Sequence, residues 1–145
     1  MKKIIKFYQT LLTCEQFVVT GSSALSFMGL RDKKDVSDLD LILVNPTEET
    51  KHILEKLQNE YSANTKPSSG EVSYIFLHEE TKVDVFIVDK QVDTELKVDD
   101  FYISKISTII AAKKRFSRMK DWLQLRKMAA CFFQQEEFEK YLDNK

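Results

Sequence analysis

In the stretch VVTGSSALSFMGLRDKKDVSDLDLILV, residues 18–44, Asp38 and Asp40 alternate with Leu39 and Leu41 at the head of a run that reads as a buried strand. Side chains alternate faces along a strand, so both aspartates project from one face and both leucines from the other. A buried carboxylate is costly unless a cation meets it, and two close together raise each other's pKa. A divalent ion relieves both problems, because a hard cation such as Mg2+ takes oxygen ligands. A strand that begins at Leu39, with Asp38 capping the preceding loop, accounts for the pair equally well. A further carboxylate, Asp84, stands alone in KVDVFIV between Val83 and Val85, where strand propensity asks for no aspartate. It belongs either to the same acidic site, to an ion pair with a core Lys or Arg, or to an edge position. Asp89 falls at the end of that run, on the opposite face, and reads as a turn residue.

Gly21-Ser22 lies between a predicted strand, QFVVT, and a predicted helix, SSALSFMGL. A helix start there offers free backbone amides to a phosphate, glycine lets it approach closely, and Ser22 adds a hydroxyl. A plain turn with Ser22 as the helix cap is the simpler alternative. Neither GxxxxGK[ST] nor GxGxxG occurs in the chain.

The elements that position these residues follow from periodicity. Residues 2–13 place Ile4, Ile5, Tyr8, Leu11 and Leu12 at helical spacing. After the strand, the helix ending near Gly29 and the polar loop RDKKDVS, the strand DLDLILV is closed by Asn45-Pro46. A helix follows Thr47, with Ile53, Leu54 and Leu57 on one face. The turn cluster SANTKPSSG leads into EVSYIFLHEETKVDVFIVD, a hairpin turning at HEET. The pattern is helical from about Ser104 to Lys127, and QQEEFEKYL suggests one more helix. No repeat or Gly/Pro-rich linker divides the chain. The expected architecture is a single α/β or α+β domain over 1–145, a small mixed sheet flanked by helices, with a core at about 15–90 and helices over about 100–145.

The balance of 43% hydrophobic and 31% charged residues describes an ordinary globular chain rather than a disordered one. A net charge of -1 gives no global attraction to nucleic acid. Cys14 and Cys131 lack metal-ligand spacing and read as reduced core cysteines. No apolar run is long enough to span a bilayer and the N-terminus lacks a signal-peptide core, so the expected location is the cytoplasm, with no membrane partner. His52 and His78 have no partner pattern and read as surface residues, and Trp122 reads as a helix-packing anchor.

Together, Thr20-Gly21-Ser22, Asp38-Leu39-Asp40-Leu41 and Val83-Asp84-Val85 resemble the signature of the nucleotidyltransferase superfamily, the group with a DNA polymerase β-like fold. Thr20 stands where an apolar residue is usual, and the spacer of residues 23–37 is longer than usual. The approach RDKKDVSDLDL is similar to that of small bacterial members of the abortive-infection and toxin–antitoxin kind. The resemblance implies transfer of a nucleoside monophosphate from an NTP to a hydroxyl-bearing acceptor (protein, RNA or small molecule), with release of pyrophosphate. It implies Asp38 and Asp40 as Mg2+ ligands, Asp84 as a second-metal ligand or base, and Gly21 and Ser22 as phosphate contacts. A non-catalytic nucleotide-binding or regulatory module with the same fold is the alternative.

The segment SKISTIIAAKKRFSRMKDWLQLRKM is basic, with Asp121 as its one acid. Ile106, Ile109, Ile110, Phe116, Met119, Leu123 and Met128 can form its buried face, leaving the cations as a solvated surface. In the small bacterial transferases a basic residue of such a helix reaches the triphosphate, which makes Lys113, Arg115 and the Lys120-Asp121 pair the candidates here. The stripe over 105–127 also offers contacts to RNA phosphates. The stretch after Val88 has no room for a large acceptor-recognition domain. The acceptor therefore falls to the C-terminal helices, a second copy in a homodimer, or a partner protein.

Overall fold

The β-branched and leucine-rich runs build one six-stranded mixed sheet, and the amphipathic segments pack on it. The computed structural model describes residues 1–62, 65–67 and 69–131. The predicted helix QQEEFEKYL lies outside the described residues, as do positions 63, 64 and 68 of the turn cluster. In chain order the elements are α1 (Lys2–Leu11), β1 (Gln16–Thr20), α2 (Gly21–Phe27), β2 (Asp38–Val44), α3 (Glu48–Tyr61), β3 (Tyr74–His78), β4 (Thr81–Val88), β5 (Thr94–Val98), β6 (Phe101–Ser104), α4 (Ile106–Phe116) and α5 (Met119–Cys131). The strand order is β3-β4-β2-β1-β6-β5. β2 runs antiparallel to β1 and parallel to β4, and β1 runs parallel to β6.

The mixed α/β sheet expected from the sequence is therefore present. β2 begins at Asp38 rather than Leu39, so both aspartates belong to the strand. Period-two patterning separates its faces. Leu39, Leu41 and Leu43 are fully buried, together with Val83 and Val85 of β4 and Phe76 of β3. Tyr8 of α1 meets Phe76 with ring centroids 5.4 Å apart, which places α1 on this face. Ile5, Leu12 and Leu54 complete the same core. Thr47 caps α3 by accepting from the Thr50 backbone amide at 3.2 Å.

Several expectations are corrected. Residues 94–104 form the hairpin β5–β6, which adds two strands; its turn passes through Asp99 at φ 50°. The predicted single helix over 104–127 is two helices. Ser117 adopts φ 52°, a left-handed conformation that ends α4, and its amide donates to the Lys113 carbonyl at 2.9 Å. The break resets the helical phase. Ile109, Ile110, Leu125 and Met128 are buried, whereas Met119 is 77% exposed and Leu123 50%. Trp122, 42% exposed, lies at the surface of α5 rather than anchoring it. His78 is not a free surface residue: the Tyr8 hydroxyl lies 2.6 Å from its Nδ1. Among the described residues, no helix is long and apolar enough to cross a membrane.

Candidate nucleotide site

The parallel pairing of β2 with β4 brings the separated acidic motifs together. In register, Asp40 stands beside Asp84 and Asp38 beside Lys82, so all four side chains project from one face of the sheet. Asp84 is fully buried, and neither of its carboxylate oxygens has a hydrogen bond; Asp40 Oδ1 is likewise inaccessible and unbonded. Burial is the main force raising the Asp40 pKa to about 7, followed by repulsion from Asp84 and Asp38, against the pull of Lys113 and Lys82. The Lys82 ammonium lies 3.5 Å from Asp38 Oδ2 and 3.7 Å from Asp84 Oδ2. The core-lysine partner considered for Asp84 is thus present within its own strand.

Gly21 opens α2 at φ +65°, a conformation that favours glycine, directly beside Asp40. A Cβ at this position would overlap Asp40 Oδ2, so the bare backbone keeps room for the carboxylate. Ser22 does not cap the helix as expected; Thr20 is the N-cap, without a side-chain bond, and the Ser22 hydroxyl accepts from Arg31. Arg31 had no motif to announce it, since it lies in the loop after α2 and meets Ser22 nine residues back only in the folded chain. The Thr20 and Ser104 hydroxyls, 2.8 Å apart, tie the ends of β1 and β6 behind this turn.

A cavity of about 470 Å3 opens in front of these residues. Gly21, Ser22, Asp38, Asp40, Lys113, Arg115 and Lys120 all line it, so seven sequence-predicted residues share one hollow. Asp84 is not on its wall; it sits one strand over, beside Asp40. Ile42, Phe86 and Val88 continue the same sheet face as an apolar floor, and α4 forms the facing side with Ala111 and Ala112.

The basic candidates play distinct parts. Lys113 is 7% exposed and its ammonium donates to Gln124 of α5. Burial lowers its pKa to about 8 in spite of the opposing pull of Asp121 and Asp40. Arg115 is held by Glu71 through bonds of 2.9 and 3.2 Å at the cavity wall. Lys120 and Asp121 both line the cavity, and Asp121 binds Arg118, accepting from its Nε at 2.7 Å, its Nη2 at 3.0 Å and its backbone amide at 3.1 Å. Burial would raise the Asp121 pKa, but these bonds outweigh it and hold the carboxyl below its ordinary value. Lys113 shares the buried face of α4 with Ile109 and Ile110, whereas Arg126 and Lys127 are exposed on α5, so the basic residues 113, 126 and 127 do not share one face.

The residues suit a divalent cation in chemistry: hard oxygen donors, unbonded buried oxygens, and an ammonium already lodged between two of the carboxylates. Among the described residues, no three potential ligands converge at metal-ligand spacing, which is consistent with Lys82 lying between Asp38 and Asp84.

The sheet order, the parallel β2–β4 pair and the helices on the carboxylate face define a mixed α/β fold of the type the motifs resemble. A Thermotoga maritima protein described as a "putative nucleotidyltransferase" shares it, with a TM-score of 0.51 over 90% of this chain and 92% of that one, at 19% identity. At that identity the likeness is one of fold. Neither a family model nor a curated protein matches the sequence.

Proposed function

We propose that the chain is a Mg2+-dependent nucleotidyltransferase that moves a nucleoside monophosphate from an NTP to an acceptor hydroxyl. The observation that carries this reading is the in-register pair Asp40–Asp84, with buried, unbonded oxygens, beside the Gly21 turn. Asp38 and Asp40 would hold the ion from the cavity wall, and Asp84 would support it from the neighbouring strand. A bound Mg2+ would neutralise the triphosphate and favour attack at the α-phosphorus. The bare Gly21 backbone gives the Asp40 carboxylate its room, and the Ser22 hydroxyl, which accepts from Arg31, lines the cavity at the same turn.

Lys113 offers a buried ammonium to the growing charge on the leaving pyrophosphate. The acceptor oxygen bonds to the α-phosphorus as the bond to the bridging oxygen breaks, and the acceptor proton passes to a carboxylate. The fully buried position of Asp84 favours a metal-supporting role over direct contact with an acceptor. The apolar floor of Ile42, Phe86 and Val88 offers a face for a base or an acceptor ring.

A binding module is the second reading, favoured by the Lys82 ammonium lodged where a catalytic ion is needed. Incubation with each labelled NTP, Mg2+ and cell extract separates the two. The enzyme labels an acceptor, and Asp84→Asn lowers transfer by about a hundredfold while NTP affinity changes only a few-fold. Labelling of no acceptor by the wild type, together with retained NTP binding, identifies the binding module.

A further inference from the structure

We infer that Lys82 is a built-in counter-ion that holds the cation position in the metal-free protein and is displaced when a divalent ion binds. The inference rests on the metal-dependent reading above. Lys82 precedes Asp84 by one strand repeat and pairs in register with Asp38, so its stem runs along the carboxylate face. Its ammonium lies 3.5 Å from Asp38 and 3.7 Å from Asp84, distances that supply charge without a hydrogen bond to either. The Arg118–Asp121 pair shows what a fixed contact in this chain is like, with a 2.7 Å bond and two more beside it. A loosely held cation shared by two carboxylates is one that another cation can replace.

Two further observations support displacement. The side chain of Lys82 is 20% exposed, so the ammonium can move without dismantling the core. Its Nζ also donates to the Lys66 carbonyl at 3.1 Å, a contact it can keep once the carboxylates are taken. The Lys113 ammonium on the facing helix is engaged by Gln124 and does not fill this position.

The test compares wild type with Lys82→Gln, using Mn2+ as the probe and paramagnetic resonance to count free ion. Removing the competitor should tighten Mn2+ binding roughly tenfold, the usual size of a coupling between two ligands. The metal-free variant should melt lower than wild type, saturating Mn2+ should erase that deficit, and adding Asp84→Asn should restore the metal-free melting temperature. A merely structural lysine would weaken both stability and metal binding. Equal or weaker Mn2+ binding by Lys82→Gln, with normal binding by wild type, overturns the displacement and leaves the metal site standing. Mn2+ binding by neither protein overturns both. Should Lys82→Gln fail to fold, acylation of the Lys82 amine in wild type, read by mass spectrometry, must rise on adding Mn2+; unchanged reactivity overturns the inference.

Discussion

Asp40 lies where burial and two neighbouring carboxylates all oppose its charge, so neutralising it should stabilise the protein while removing its proposed function. The perturbation is Asp40→Asn. The Asp40 pKa rises from 3.8 to about 7, a difference of about three units. At ~1.4 kcal/mol per unit this sets an upper bound of about 4 kcal/mol on the cost of ionising Asp40 in the fold. The carboxylate borders an open cavity, where water screens part of that cost, so about 2 kcal/mol is the expected gain. For a chain of this size that corresponds to a rise of roughly 6 °C in Tm.

The sign follows from linkage. Between pH 3.8 and about 7 the native state binds more protons at Asp40 than the unfolded state does. Wild-type stability from this group is therefore full below pH 3.8 and is lost as pH rises to about 7. The Asp40→Asn advantage should be near zero at pH 4, grow through this window and level off above pH 7. Thermal melts by circular dichroism from pH 4 to 8 measure it directly, and added Mg2+ should narrow the gap by raising the wild type alone. A variant that melts at or below wild type at pH 8, or an advantage independent of pH, refutes the account of Asp40 as a strained, cation-seeking carboxylate.

Gly21→Val should abolish NTP binding and lower Tm, because φ +65° is strained for a β-branched residue and the new side chain overlaps Asp40; calorimetric NTP affinity equal to wild type would remove Gly21 from the site. Lys113→Met should leave stability unchanged or slightly higher at pH 7 while weakening NTP binding by about tenfold, the scale of one lost charge-assisted contact. Its pKa is lowered from 10.5 to about 8, so Lys113 contributes stability fully above pH 10.5 that is lost as pH falls to about 8, and wild type should gain stability relative to Lys113→Met as pH rises across that window. NTP binding at pH 9 should then take up a proton, visible as a buffer-dependent enthalpy that Lys113→Met lacks. Arg118→Lys should destabilise α5 by about 1–2 kcal/mol in chemical denaturation, since one ammonium cannot reproduce the two guanidinium bonds to Asp121.

What could be read from the chain was what local pattern encodes. Alternation placed Asp38 and Asp40 on one face, the valines around Asp84 marked a strand, and Gly21 between strand and helix marked a turn with special backbone needs. Their meeting depends on β2 pairing with β4 in parallel, which no local pattern states. The β5–β6 hairpin escaped because TELKVDDFYIS mixes charge with its β-formers and turns on Asp99 rather than Gly or Asn. The α4–α5 break escaped for a similar reason, as a serine rather than a glycine takes the left-handed conformation at residue 117. An apolar phase continued straight through residue 117 puts Met119 and Leu123 on a buried face that they do not occupy.

Side-chain partners were least legible because long cations choose among acids by geometry. Lys120 precedes Asp121 in sequence, yet successive helical residues point about 100° apart, whereas Arg118 lies at i−3 and can fold its guanidinium onto the carboxylate. Lys82 and Asp84 obey the strand version of that rule, two residues apart and therefore on one face. The sequence KVD thus contains both a charge and its counter-charge, but says nothing of Asp38 arriving in register to divide the ammonium. Asp84 is left without a hydrogen bond, and Asp40 beside it has its pKa raised first by burial and then by Asp84 and Asp38. A sheet face built only for stability would have closed such a cluster with a fitted arginine, as Asp121 is closed by Arg118. Leaving it with a loosely held lysine next to a bare glycine turn is the arrangement that the proposed exchange of that lysine for a divalent ion calls for.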